Sequence, residues 1–174
     1  MTVEARKKTG VRHAAKAAAP PIGAVDVLQQ IRIVMRAAQR HSAWIEKQCG
    51  VTGTQLWLMQ ELFETPGLRV GELAQRLAIH QTTTSNMLNN LVERRLLVKT
   101  RDSADQRVVT LSLTKAGATL VAKAPKPARG LLPEALRNLD PANLAELRRG
   151  LQALLDEFGQ ADETFGKQPL PFAM

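Results

Sequence analysis

Residues 70–113, VGELAQRLAIHQTTTSNMLNNLVERRLLVKTRDSADQRVVTLSL, decide the fold of this 174-residue chain. Apolar residues recur every three to four positions over Val70–Ala78 and again from Gln81 to about Arg95, which predicts two short helices joined by a tight turn. Two β-rich runs follow, Leu96–Arg101 and Arg107–Leu113, and the polar residues between them predict a hairpin. The segment therefore predicts a pair of helices followed by a small antiparallel hairpin.

The second of these helices carries short, neutral, polar side chains. A solvated helix face usually carries Glu and Lys, whereas here Thr82–Thr84 are three consecutive poor helix formers. The major groove of DNA admits one α-helix, and Asn, Gln and Thr side chains suit base edges there. The alternative is an ordinary solvated face. We expect these residues to contact DNA: Gln81, Thr82, Thr83, Ser85, Asn86, Asn89 and Asn90.

The charge of the chain favours a polyanionic partner, and we expect double-stranded DNA. The formal net charge is +8 and the sequence pI is about 10.3. Residues 1–21 hold five Lys or Arg against one Glu, and residues 70–115 hold seven against four acidic residues. The excess therefore lies in the leading tail and in the segment with the paired helices. The basic tail either touches nucleic acid or is simply solvated.

Charged residues bracket the tip of the predicted hairpin. Arg101 and Arg107 flank Asp102 and Asp105. A tip arginine is suited to the minor groove, where the negative potential is high, and a nearby carboxylate orients its guanidinium. A charged but functionally neutral turn is the alternative. We expect Arg101 and Arg107 to contact DNA and the two aspartates to orient the wing.

Two further helices, far apart in sequence, carry apolar stripes. One runs from Ala24 to about Gln48, and the other begins at Asp140-Pro141, a good N-cap and first-turn pair. A core of about 65 residues does not need both to fold, although they could pack on their own domain. A two-fold interface between two copies of the chain is a more economical role for both helices, so we predict a homodimer. The expected dimerisation residues are Leu28, Ile31, Met35, Leu144, Leu147, Leu151 and Leu154.

Several classes of function lack support in the sequence. The three histidines are scattered, no phosphate-binding loop or nucleophile motif occurs, and the single Cys49 excludes an internal disulfide. We expect no metal, no cofactor and no enzymatic activity. No apolar run approaches the about 20 residues of a membrane span, and no secretory signal is evident, so we expect a cytoplasmic protein. Cys49 is interpreted as a structural residue rather than a peroxide-sensing thiol.

A cleft for a small-molecule effector is predicted near both tryptophans. Trp44 and Trp57 lie where the first helix approaches the paired helices, beside His41, Met59 and Phe63. An apolar cleft with a few polar groups suits an aromatic acid. Filling of the core by these side chains is the alternative.

The chain resembles the MarR (multiple-antibiotic-resistance regulator) family over about residues 25–158. The most specific match is Asp102-x-x-Asp105-x-Arg107 followed by Leu113-Thr-Lys-Ala-Gly, and Leu73-Ala74 agrees too. The resemblance implies a mainly α fold with a small β-hairpin wing (α+β), a winged helix-turn-helix whose terminal helices form a dimerisation region. It also implies a homodimer on palindromic operators, often released by lipophilic or phenolic effectors.

The domain boundaries follow from these patterns. Residues 1–21 are predicted as a disordered basic tail, residues 22–160 as the DNA-binding domain with its dimerisation helices around a core of 51–117, and residues 161–174 as a second tail. Two other functions stay open. They are a sequence-nonspecific nucleoid-type DNA binder and a winged-helix module that binds protein.

The sequence departs from the family pattern around the second helix. His80 stands where Ser or Thr is usual, Thr84 where a branched apolar residue is usual, and Asn86 and Asn90 where Arg is frequent. Arg95 replaces a glycine at the turn into the wing, which implies either backbone strain or a different helix cap. These differences bear on the operator sequence rather than on the fold.

Overall fold

The computed structural model describes residues 23–101, 108–159 and 162–172. Among them, no helix is long and apolar enough to cross a bilayer. The elements follow one another as helices α1 (Ala24–Cys49), α2 (Gly53–Glu64), α3 (Val70–Leu77) and α4 (Gln81–Glu93), strands β1 (Leu97–Arg101) and β2 (Val109–Leu113), helices α5 (Lys115–Lys123), α6 (Leu131–Asn138) and α7 (Pro141–Glu157), and a 3₁₀ turn at Glu163–Lys167.

The core lies between α2, α3, α4 and the hairpin. Leu73 and Leu77 of α3 are buried in one cluster with Leu88 and Leu91 of α4, as the three–four spacing predicts. The inward-facing side of α2 also belongs to this core, and its Leu56 is fully buried. This aliphatic core fixes α4 relative to α2 and α3, and the predicted winged helix-turn-helix fold is confirmed.

Helix α4 ends two residues earlier than the periodicity predicts, because the backbone turns sharply at Arg95. Arg95 has a left-handed φ of 57°. Its N–H donates to the carbonyl of Val92 at 2.9 Å, and the N–H of Leu96 donates to that of Leu91 at 2.9 Å. This pair of bonds is the Schellman arrangement that usually places glycine at the left-handed position. The arginine therefore adopts the strained backbone that glycine adopts at no cost.

The hairpin pairs Leu97 with Leu113 at its base and Arg101 with Val109 at the limit of the described strands. The outer edge of β2 is covered as well. The Gly67 N–H donates to the Leu111 carbonyl at 2.9 Å, and the Leu111 N–H donates to the Leu68 carbonyl at 3.0 Å. The stretch after α2 thus behaves as a third strand, which protects the edge of the wing and anchors it to the core.

Two elements were not expected from the sequence. Helix α6 lies in the Pro- and Gly-rich stretch, with Pro133 in its first turn, where the missing N–H costs no helical hydrogen bond. The segment Asp162–Phe172 contains the 3₁₀ turn, and the Lys167 carbonyl accepts a hydrogen bond of 2.9 Å from the N–H of His80. The part of the chain that we expected to be a tail therefore includes residues bound at the start of α4.

A cluster of ionic hydrogen bonds joins α2, α3 and the loop before α6. The buried carboxylate of Glu61 accepts from Arg129 Nε at 2.8 Å, from Arg76 at 3.2 Å and from Trp57 Nε1 at 3.1 Å. Arg129 also donates to Glu64. Because Glu61 is paired with two guanidinium groups, its charge is tolerated at a nearly dry position.

Candidate nucleic-acid interface

Helix α4 divides cleanly into a buried and an exposed face. Thr84, Leu88 and Leu91 are completely buried. At 100° per residue, Thr82 and Asn86 fall on the opposite side, and both are exposed. Of the seven α4 residues expected to contact DNA, five are exposed and two, Thr83 and Ser85, are partly exposed; the exposed ones are Gln81, Thr82, Asn86, Asn89 and Asn90.

Two of these asparagines already have partners within the chain. The side-chain oxygen of Asn89 accepts from Lys99 Nζ at 2.7 Å, and that of Asn90 accepts from Gln55 Nε2 at 3.1 Å. Both bonds leave the amide NH₂ groups available as donors, but they fix the orientation of the amides. Asn89 thereby ties α4 to the wing and Asn90 ties it to α2. Gln55 and Lys99 were not predicted as positioning residues, because both are distant in sequence from the asparagines that they bind.

The fold accommodates a threonine at position 84, where the family usually has an apolar residue. Its hydroxyl donates to the carbonyl of His80 at 3.1 Å, so the buried oxygen is satisfied inside the first turn of α4. The side chain of His80 makes no capping bond to this helix. The first turn of α4 is therefore held from inside by Thr84 and from outside by the bond between His80 and Lys167.

Basic groups surround the exposed face of α4. Arg94 and Arg95 lie exposed at its end, while Lys99 and Arg101 lie exposed along β1. The other predicted residues of the wing, Asp102, Asp105 and Arg107, lie outside the described residues. The described part thus presents short polar groups beside exposed cations, which suits contacts to base edges and to phosphates.

The stripes predicted for dimerisation are exposed in the single chain. No residue of α7 is buried, and Leu151 is 49% exposed. Helix α1 packs on α2 and α6, yet its first half remains open. The exposed members of the predicted set are Leu28, Ile31, Met35, Leu144, Leu147, Leu151 and Leu154. Exposed apolar stripes on two helices are characteristic of an interaction surface.

The predicted effector residues separate into two groups. His41 and Trp57 line a cavity of about 140 Å³ between α1, α2, α6 and the turn before α4. The rings of Trp44 and His41 pack edge-to-face with their centroids 5.8 Å apart. Trp44 lines a different surface cleft, beside Cys49. Met59 is fully buried in the core, and Phe63 is 46% exposed; neither lines the cavity.

The chemistry of the cavity is mainly apolar. His41 is buried, and neither of its ring nitrogens has a hydrogen-bond partner among the described residues. Burial lowers the pKa of His41, and a backbone group of Lys126, which lies near the ring without meeting hydrogen-bond geometry, partly opposes this shift. Arg129 also lines the cavity, but its guanidinium already binds Glu61 and Glu64. The other polar side chains of the lining, Ser42, Thr54 and Gln168, are neutral, and the only cation among the described lining residues is already paired, which favours a hydroxyl over a carboxylate.

Cys49 and the acidic residues offer little reactive chemistry. Burial raises the pKa of the Cys49 thiol, so its nucleophilic thiolate is disfavoured. Within the described ranges, no cluster of three His, Cys, Asp or Glu side chains could hold a metal ion.

The model of the MarR family matches residues 50–108, from the start of α2 into the wing. Residues 50–108 form a MarR-family domain. The transcriptional repressor MdtR of Bacillus subtilis is 36% identical over 73 residues, which are 42% of this chain and 46% of MdtR. The matched segment thus spans about half the length of that relative.

Two longer matches extend beyond the MarR-family domain. The homoprotocatechuate degradative operon repressor of Escherichia coli is 29% identical over 122 residues, which cover 70% of this chain and 80% of the repressor. The crystal structure of a MepR-like protein complexed with pseudoligands superposes with a TM-score of 0.55 at 22% identity, covering 80% of this chain and all of that one. The relatives named here are transcription regulators, and the structural match shows the shared fold.

The MarR-family domain contains the face of α4 described above. Its departures from the family pattern lie within α4 or at the two ends of that helix. Thr84 is buried and internally bonded, Arg95 takes the left-handed conformation, and Asn86 and Asn90 replace cations with neutral amides. The sequence predicted the exposed polar face correctly, and the partners that hold it in place emerged only from the fold.

Proposed function

We propose that this chain is a transcription repressor that binds a palindromic operator in double-stranded DNA as a homodimer. The observation that carries the proposal is the exposed face of α4, where Thr82 and Asn86 stand opposite fully buried side chains. Named relatives of the MarR-family domain are repressors, which supports the same role here. A DNA-binding role of this kind places the chain in the cytoplasm and requires no catalysis and no cofactor.

The two recognition helices of a dimer would enter successive major grooves. Half-sites one helical turn apart require a two-fold partner, and the open apolar faces of α1 and α7 supply the surface for one. The wings would then reach the flanking minor grooves, with Arg107 as the inserting residue and Asp102 and Asp105 as its orienting partners. Arg101 at the described end of β1 would bind the adjacent backbone.

Effector release is the regulatory part of the proposal. The cavity lined by His41 and Trp57 lies between α1 and the turn that precedes α4. A lipophilic or aromatic ligand there would favour one arrangement of α4 relative to the dimer helices, and it changes DNA affinity only through that preference. Because the lining guanidinium of Arg129 is already bound to Glu61 and Glu64, we propose a neutral, hydroxylated aromatic compound rather than an aromatic acid as the ligand.

The deciding experiment is selection of bound duplexes from a random pool. We expect a palindromic motif rich in A·T pairs, because Asn and Gln pair bidentately with adenine. Asn86→Ala should relax one position in each half-site, with a cost of about 1–3 kcal/mol at the preferred base. Asn138→Ala, an exposed asparagine at the end of α6, is the matched control.

Two other results would redirect the assignment. A pool with no enriched motif, bound with a steep salt dependence, would indicate a nonspecific nucleoid-type protein. No binding to any duplex at low salt would indicate a winged-helix module whose partner is another protein.

A further inference from the structure

The segment Asp162–Phe172 forms part of the lining of the cavity beside His41. Gly166, Gln168, Pro169, Leu170 and Phe172 all line it, opposite α1 and α6. Pro171 and Phe172 continue onto the surface of α1 beside Ile31 and Met35. The side chains at the end of this segment therefore occupy apolar space between α1 and the MarR-family domain.

The same segment is bonded to the recognition helix. The Lys167 carbonyl accepts from the N–H of His80, the residue immediately before α4, at 2.9 Å. Asp162 caps the 3₁₀ turn by accepting a hydrogen bond of 2.9 Å from the Thr164 N–H. This bond stabilises the turn that places the Lys167 carbonyl beside the N–H of His80. One short peptide thus contacts the cavity, helix α1 and the first turn of α4.

The remaining space limits what can bind while the segment is docked. A cavity of about 140 Å³ is close to the about 150 Å³ that accommodates benzene. Pockets for drug-sized ligands are about 300–1,000 Å³. A single aromatic ring fits beside the docked segment, whereas two fused rings require the space that Leu170 and Phe172 fill.

We propose that Asp162–Phe172 is an intramolecular occupant of this cavity, which a larger neutral aromatic ligand must displace. The proposal deepens the effector part of the proposed function and rests on it. Displacement breaks the hydrogen bond between Lys167 and His80. A ligand large enough to displace the segment therefore changes the hydrogen bonding at the start of α4, whereas a smaller ligand does not. The unpartnered ring nitrogens of His41 select a ligand that carries a hydroxyl.

The test compares phenol with 2-naphthol by calorimetric titration, using the full chain and a chain that ends at Ala161. The shortened chain should bind 2-naphthol at least about tenfold more tightly, or about 1.4 kcal/mol, while its affinity for phenol should change by less than about threefold. Weaker binding of both probes would make the segment a wall of the site and overturn the proposal. An unchanged ratio of affinities, or no binding of either probe to either chain, would overturn it too.

Docking of the segment is measured independently by amide exchange. Exchange of the His80 amide should accelerate at least about tenfold in the shortened chain, whereas the Leu96 amide, which donates to Leu91, should not change. If the shortened chain does not fold, the full chain with Leu170→Ser and Phe172→Ala undergoes the same two measurements. Neither involves DNA, so loss of operator binding and failure of this proposal are separate results.

Discussion

A Cβ atom on Gly117 would lie 2.1 Å from the carbonyl oxygen of Leu96. The first turn of α5 is pulled onto the turn after α4 by two hydrogen bonds. The Thr114 hydroxyl donates to the Arg95 carbonyl at 2.8 Å, and the Thr114 N–H donates to the Leu96 carbonyl at 3.1 Å. Gly117 is therefore required by close approach of two backbones rather than by its own conformation.

Gly117→Ala should destabilise the fold by about 1–3 kcal/mol, because the added methyl forces the two backbones apart. Urea unfolding gives the free energy of unfolding. Gly71→Ala is the control, since no atom lies within 4 Å of the added Cβ there; it should be neutral or stabilising by at most about 1 kcal/mol. Equal stabilities of the two variants would contradict the close approach.

Arg95→Gly should raise the free energy of unfolding by about 1 kcal/mol, since glycine adopts the left-handed backbone without the clash of a Cβ. Arg95→Ala removes the same charge but keeps the Cβ, so it should show no such gain. Thermal unfolding of both variants separates the backbone effect from the loss of charge. A gain of the same size in both would assign the effect to charge.

Leu147→Asp combined with Leu151→Asp should produce monomers, because an interface on α7 would bury carboxylates without partners. Sedimentation of the parent and the variant measures the change. Ala145→Asp with Gln152→Asp adds the same charge on the opposite side of the same helix and should remain dimeric. A dimer that survives the leucine substitutions would move the interface away from α7.

Acid should destabilise the chain partly through Glu64. A hydrogen bond from Arg129 lowers the pKa of Glu64 from its ordinary value of 4.5. The contribution of the ionised group is therefore complete above pH 4.5 and is lost as the pH falls below that value toward the folded-state pKa. Urea unfolding at pH about 6 and about 3 should show a smaller loss in Glu64→Gln than in the parent. Glu46→Gln, on the exposed side of α1, should keep the full loss, and an identical loss in all three would contradict this role of Arg129.

The sequence predicted the elements whose residues repeat at helical or strand spacing. The buried leucines of α3 and α4 were identified because local periodicity and tertiary packing demand the same residues. Helix α6 was not predicted because Pro133 and Gly130 suggest a loop. A helix is compatible with Pro133 only because that residue lies in its first turn. Local pattern alone does not reveal that position.

The sequence predicted which residues of α4 form its exposed face, but not the hydrogen bonds that hold those residues in place. The polar residues of α4 stand out by composition, whereas the bonds from Lys99 to Asn89 and from Gln55 to Asn90 join residues that are distant in sequence. The same holds for Lys167 and His80. Likewise, adjacency to Trp57 along the sequence suggested Met59, but a residue two positions along a helix points to a different side.

Helix α7 has a consequence for how the protein behaves at different abundances. Its 17 residues include none that is buried by its own chain, and helices in proteins draw most of their stability from packing of an apolar face. Its order must come from contact with another molecule, so the helix content of the solution should rise with protein concentration, as should the unfolding temperature. In a cell, a newly made chain at trace levels would carry a frayed α7, and the regulator would complete its own fold only once enough copies had accumulated.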